Sequence, residues 1–408
     1  MAIDFHHKKM PNGLTVIAEC NPDAHTAAVG FFVKTGTRDE AAPVMGVSHY
    51  LEHMMFKGTE HRTGEEVNRQ FDEIGADYNA YTNHETTVYH AQVLPEYLPR
   101  VVDLLGDMLR PALRREDFDT EKKVILEEIG MYDDRPQWRL HDALLERYFR
   151  GSPLGYRVLG TVESIGALSV EQMREYLQRR YGPDNMTVAA AGRLDFEKLV
   201  DDLARATGHW EPSGATRQYA ELQAVDQQQT MEDERVSRQY LAMMSPAPAA
   251  QDLRRYAARV LADVIGADDG SRLYWALVDP GLADEADFSY YPQDRTGSFI
   301  GYASCDPQRA EHVEQVLLET LDRTVDRIDP DEVERAKNKI ATLATLSGER
   351  PGGRMRSLGG QWTYLGEYLP LEVELDRIMA VTVEDLRSLL GAMPVRPRTI
   401  IRLGPARR

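Results

Sequence analysis

In the stretch GVSHYLEHMMFKGT, residues 46–59, His49 and His53 stand four apart with Glu52 between them. Residues four apart in a helix share a face, so both imidazoles could be aimed at one ion. Zinc accepts neutral imidazole nitrogen readily. Glu52, three residues after His49 and next to His53, sits at the edge of that face, within reach of a water on the metal. The order is the inverse of the commoner zinc-peptidase arrangement, in which the glutamate follows the first histidine. The alternative is an amphipathic helix whose histidines cap a surface or fill a core edge, and the pattern alone leaves both readings open.

A catalytic zinc takes three protein ligands and keeps one position open, so a third ligand must come from elsewhere. The segment DTEKKVILEEIGMYDD, 119–134, offers carboxylates. Read as a helix, it places Glu121 and Glu128 two turns apart on one stripe with Val124, Ile125, Ile129 and Tyr132, and Glu127 on the opposite side. A carboxylate buried without a partner is costly, and a cation or a hydrogen-bonded network would offset that cost. Snorkelling glutamates on an apolar stripe are the other explanation. Taken together, the two helices favour a metal site.

Several elements must position these residues. Residues 14–18 and 27–34 are rich in β-branched and aromatic residues and read as strands, with Asn12-Gly13 as a turn before the first. The metal stretch reads as a helix closed by Gly58, with Lys57 at the negative end of its dipole. Residues 64–75 read as helix, and 76–93 as two strands joined near Asn83. Helices follow at 96–110, 116–133, 138–149, 169–180 and 195–207, with a strand at 186–191. The segment EPSGATRQYAELQAVDQQQTMEDE is polar and reads as a linker. Beyond it come a strand at 239–244, a helix at 251–266, strands within 287–304, helices at 307–327, 330–346 and 370–392, and a strand at 398–402. The expected organisation is an α/β half over 1–212 that carries the metal site, a linker over 213–235, and a second α/β half of similar fold over 236–408. The glycine-rich GERPGGRMRSLGG, 348–360, lacks the strand-loop-helix spacing and the Lys-Ser/Thr ending of a phosphate cradle, so a flexible interruption of a helix is expected there.

Bulk properties narrow the class. The 408 residues, 42% hydrophobic and 28% charged, suit a globular protein of two or more domains. A net charge of −18 argues against general affinity for nucleic acid. Cys20 and Cys305 form no disulfide framework or zinc cluster. The opening MAIDFHHKKMPNGLTV has no apolar signal-peptide core, and no run approaches the roughly 18–20 apolar residues of a membrane helix, so a cytoplasmic protein without a membrane partner is expected.

The chain resembles the pitrilysin/insulinase family of zinc metallopeptidases, in particular its short bacterial branch similar to the mitochondrial processing peptidases. The resemblance rests on MGVSHYLEHMMFKGT, EKKVILEEI, the YNAYT of Tyr78–Thr82, VLGTVESI (158–165) and YGPDNMTVAAAG (181–192). It spans nearly the whole chain, strongly in the first half and loosely in the second. It implies an α+β fold of two related halves, each a mainly antiparallel sheet packed with helices, facing each other as a clamshell. It implies Zn2+ held by His49, His53 and Glu128, with Glu52 as general base and Glu121 as the carboxylate that orients the ligands. It implies that substrate adds as a strand at a sheet edge, with Asn79 and Ala80 the candidate positions. The function implied is a zinc metalloendopeptidase acting on peptides or unfolded segments in an enclosed cavity. The alternative is a non-catalytic or partner-dependent subunit of a peptidase heterodimer or larger complex. Short members pair, so a homodimer is expected, or a heterodimer with a related subunit.

One region departs from the family pattern. Relatives carry an Arg and, downstream of it, a Tyr in the second half, which hold the substrate backbone. In SRLYWALVDPGLADEADFSYY, 271–291, Asp284 stands where the Tyr belongs and Asp279-Pro280 where the Arg belongs, leaving Arg272, Tyr290 and Tyr291 as possible substitutes.

Overall fold

A computed structural model describes residues 3–406. The chain runs β1 (Asp4–Lys9), β2 (Thr15–Cys20), β3 (Ala27–Val33), α1 (Val47–Met55), α2 (Gly64–Glu73), β4 (Asp77–Thr82), β5 (Thr87–Val93) and α3 (Leu98–Met108). It continues with α4 (Arg115–Asp133), α5 (Pro136–Tyr148), α6 (Val162–Ala167), α7 (Val170–Arg180), β6 (Met186–Gly192) and α8 (Phe196–Thr207). Then come β7 (Gln227–Glu232), β8 (Gln239–Pro246), α9 (Arg255–Gly266), a π-helical turn at Tyr274–Val278, β9 (Glu285–Gln293) and β10 (Thr296–Cys305). The chain closes with α10 (Ala310–Arg323), α11 (Pro330–Gly348), α12 (Pro351–Leu365), α13 (Leu371–Met379), α14 (Val383–Ala392) and β11 (Thr399–Gly404).

These elements form two compact units, each built on one sheet. The first sheet has the order β1-β2-β6-β3-β5-β4 and the second β7-β11-β8-β10-β9. In the first, β2 and β6 are parallel and every other pair is antiparallel. In the second, β7 and β11 are parallel and the rest antiparallel. With β1 set aside, the two sheets have the same order and the same strand directions, so β4 and β9 are equivalent edge strands. The duplication is written in topology rather than in residue identities.

The units do not divide the chain at one point. The first holds the chain through Gly130, Tyr156–Gln218 and Leu346–Leu369; the second holds Met131–Gly155, Tyr219–Thr345 and Pro370 onward. Each half of the chain therefore gives one helix to the other's sheet. Strand β3 shows why. All seven of its residues are buried, because both faces of the first sheet are covered. Val16, Val29, Phe31 and Val188 face the cluster that includes α1, α3 and α8. Ile17, Phe32, Val88 and Ala189 face Met355 and Leu358 of α12. In the second unit α9, α10 and α14 cover one face, and Leu140 and Leu144 of α5 pack on Met244 and Ile401 on the other.

The glycine-rich 348–360 segment is thus not a flexible interruption: most of it is α12. Its glycines answer to proximity. A Cβ on Gly359 would run into the Phe32 ring, and one on Gly352 would sit 2.6 Å from Gln92 Oε1. Arg354 of α12 is buried in a two-pronged pair with Glu19, at 2.5 and 2.6 Å, and Tyr368 donates to the same carboxylate at 2.7 Å. Two other expectations change. Residues 370–392 form two helices, since Thr382 begins α14 with a capping box to Asp385. Within the polar 213–235 segment, Gln227–Glu232 is strand β7, paired with β11. No described helix is long and apolar enough to cross a membrane.

Candidate metal centre

Helix α1 forms because Val47, Tyr50, Leu51, Met54 and Met55 recur at helical spacing, and all five are buried. At about 100° per residue, that stripe leaves His49, Glu52 and His53 on the other side of the helix. The helix ends at Met55, before Gly58. Its start is fixed by Gly46, whose φ is 89° and where a Cβ would meet Leu159 O at 2.7 Å. The N–H groups of Gly46 and Ser48 each donate to the buried Glu40 carboxylate at 2.8 Å. Donors otherwise orphaned at a helix N-terminus are so closed by an acid. Burial pushes the Glu40 carboxyl up to about 7 against the pull of those bonds.

Helix α4 buries Phe118, Glu121, Ile125 and Ile129 and leaves Glu127 exposed. Val124 was expected on this stripe but is 44% exposed, so the apolar face is narrower than its composition suggests. Glu121 receives His53 Nδ1 at 2.8 Å and Lys57 Nζ at 2.6 Å. Burial pushes Glu121 up, but the bonds from His53 and Lys57 outweigh it and hold the carboxyl below its ordinary range. With Glu121 accepting from Nδ1–H, the lone pair of His53 is on Nε2.

That Nε2 lies 3.7 Å from Glu128 Oε2, and His49 Nε2 lies 3.8 Å from the same oxygen. Ligand atoms of His49, His53 and Glu128 all fall within 4.8 Å of one another. The separations exceed a hydrogen bond and match atoms that would share one ion at about 2 Å each. His49 Nδ1 is buried without a hydrogen-bond partner. Burial and the neighbouring His53 pull the His49 imidazole down to about 3, so it is neutral, the form a metal takes. Two imidazole nitrogens and one carboxylate are a zinc donor set, and the residues fit the ion.

Glu52 stands beside this cluster. Its Oε2 accepts a hydrogen bond from Thr82 Oγ1 at 2.6 Å. Burial pushes its carboxyl up, while Thr82 and His53 pull it back. Thr82 was missed in the sequence. The available signal was alternation along β4, where Tyr78, Ala80 and Thr82 are the half-buried positions.

Asn79 and Ala80 lie on β4, the outer strand of the first sheet. Asn83 N–H donates to Thr86 O, so ladder parity turns the main-chain groups of Tyr78, Ala80 and Thr82 to the open edge. The Ala80 N–H instead donates to Asn79 Oδ1 at 2.8 Å.

In the second unit, Arg272 holds Glu332 through two nitrogens and donates to Arg327 O at 2.6 Å. Tyr290 OH donates to Pro248 O at 2.7 Å. Tyr291 is 48% exposed, and Asp284 pairs with Arg238. A cavity of about 1010 Å³, lined by Arg62, Asp107, Arg110 and Trp210 among others, contains none of the cluster residues. We give the centre to the ligand cluster, because cavity size carries no chemistry and Arg62 is already paired with Asp103 and Asp107.

Comparison with known proteins places the chain in a family. Residues 15–162 match the family model described as Insulinase (Peptidase family M16), and 167–340 match Peptidase M16 inactive domain. An uncharacterized zinc protease of Streptomyces coelicolor is 31% identical, over 97% of this chain and 88% of its own. One of Mycobacterium tuberculosis is 32% identical, over 97% and 92%. The chain belongs to the M16 peptidase family. In fold it matches a protease from Helicobacter pylori, with a TM-score of 0.93 at 18% identity over 99% of this chain and 100% of that one. An M16-like peptidase of Alicyclobacillus acidocaldarius gives 0.87 at 22% identity, over 100% and 99%.

Proposed function

We propose that the chain is a zinc-dependent endopeptidase acting on peptides and unfolded protein segments, with His49, His53 and Glu128 as ligands and Glu52 as general base. The observation that carries this reading is the convergence of three ligand atoms within 4.8 Å of one another next to a carboxylate that belongs to neither ligand helix's core stripe. Zinc, when bound, supplies Lewis acidity to a scissile carbonyl and to an attacking water. Glu52 takes the proton of that water and later delivers it to the leaving amide nitrogen. Glu121 fixes the His53 tautomer, and Lys57 keeps Glu121 charged. A substrate that pairs with β4 must be extended with its backbone groups free, which folded proteins do not offer. It would take the Ala80 N–H from the Asn79 side chain.

The test is Glu52→Gln in the full chain, assayed on quenched peptides with zinc quantified. Hydrolysis should fall about 10²- to 10⁴-fold while zinc and fold remain. Full activity in this variant removes Glu52 from the mechanism, and chelator-resistant cleavage by the parent removes the metal.

A second reading has its own support. Two of the three residues that could replace the missing Arg/Tyr pair are committed elsewhere, Arg272 to Glu332 and Tyr290 to Pro248 O. On this reading a second copy or a related subunit supplies the substrate contacts. Stoichiometric zinc without cleavage by the purified chain, followed by cleavage once a partner is added, would favour it.

A further inference from the structure

We infer that Thr82 is a positioning residue for the base: its hydroxyl fixes the Glu52 carboxylate and ties it to the edge strand on which a peptide would dock. The inference rests on the peptidase reading for its meaning in turnover, and on geometry for its substance.

Thr82 is the last residue of β4, and its side chain turns to the face that carries α1. The hydroxyl donates to Glu52 Oε2 at 2.6 Å. One carboxylate oxygen is thereby held and the other left to accept a proton. The same residue presents its main-chain groups to the open edge, as ladder parity shows. Base and docking edge therefore meet in one residue.

Thr82 is itself held from behind. In the turn that follows, Asn83 Oδ1 accepts the N–H groups of Glu85 and Thr86, each at 2.8 Å. Arg38 donates to Glu85 Oε1 at 2.5 Å, and its N–H donates to His84 O at 2.8 Å. Arg217 Nη2 reaches Glu85 O at 2.6 Å and Asp39 Oδ2 at 2.7 Å. Arg38, Glu85 and Arg217 side chains are almost wholly shielded from solvent. A buried ionic cluster with charges on several loops has few alternative arrangements, so the turn and the hydroxyl it carries are set before substrate arrives. No other hydrogen bond to the Glu52 carboxylate occurs among the described residues, so its orientation depends on Thr82.

The experiment compares Thr82→Val, which keeps the shape and removes the hydroxyl, with Thr82→Ser, which keeps the hydroxyl. Thr82→Val should bind one zinc per chain and show kcat about 10- to 100-fold lower with KM within about twofold, and Thr82→Ser should restore kcat. A parental kcat in Thr82→Val, or a loss confined to KM, overturns the inference. A second measurement needs no turnover. In crystals of the metal-free full chain, Glu52 should keep a single carboxylate orientation in the parent and Thr82→Ser, and should turn or split in Thr82→Val. An unmoved Glu52 in Thr82→Val overturns the inference whatever the kinetics. If the parent cleaves nothing while Glu52 still follows Thr82 in the crystals, the peptidase reading fails and the positioning role stands.

Discussion

His53 touches two carboxylates with different work. Glu128 brings an oxygen to 3.7 Å from Nε2, where an ion could be shared, while Glu121 holds the far side of the ring at 2.8 Å and is itself held by Lys57 at 2.6 Å. Removing charge from such an outer partner weakens metal binding without abolishing it. Glu121→Gln should lower zinc affinity about 10- to 100-fold, read by competition with a chelating dye, and an unchanged affinity would mean the His53 ring is oriented by packing alone. At this scale much of the site was legible. His49, Glu52 and His53 announced themselves because helical spacing is local, and the 121/128 pair did so for the same reason. Thr82 did not: alternation along β4 could turn its side chain inward, but its contact crosses to a helix residue 30 positions away, and no local period records that partner.

Among the elements, α1 begins at a buried acid cap, and the cap has a pH signature. Burial raises the Glu40 carboxyl from its ordinary 4.5 to about 7. The folded protein thus keeps a proton that the unfolded chain gives up near pH 4.5. The stability tied to that proton is whole below pH 4.5 and is lost as pH rises to about 7. Glu40→Gln removes the titration, so the variant's melting temperature should fall less than the parent's between about pH 5 and pH 8 in calorimetry of the metal-free protein; parallel profiles would show that Glu40 does not govern this range. Helix α12 teaches the opposite lesson about reading. Glycine disfavours a helix interior by roughly 1 kcal/mol, and that propensity argued for an interruption in 348–360. The sheet overrides it, because the helix lies so near that side chains have no room. Gly359→Ala should therefore destabilise by about 1–3 kcal/mol in urea unfolding despite alanine's better helix propensity, and a gain in stability would mean Phe32 moves aside freely.

For the whole molecule, the two-halves organisation and the α+β class were legible from the order of strand and helix periods. The exchange of α5 and α12 was not, since an apolar helix face does not say which sheet it will cover. A fragment ending at Gln218 lacks Met355 and Leu358, so Ile17, Phe32 and Val88 lose their cover. Such a fragment should aggregate or bind hydrophobic dyes, and joining residues 346–369 to it through a flexible linker should restore a compact unit. A fragment that is already monomeric and cooperative would show that α12 is dispensable. The same arrangement sets a timetable for the ribosome. Roughly 130 residues separate the end of the first unit's main segments from the helix that completes it. At about 5–20 residues per second that is roughly 6–26 s of synthesis. Throughout that interval the nascent chain carries one naked sheet face, a natural resting place for a holding chaperone, and the cell must guard it until nearly the last tenth of the polypeptide has emerged.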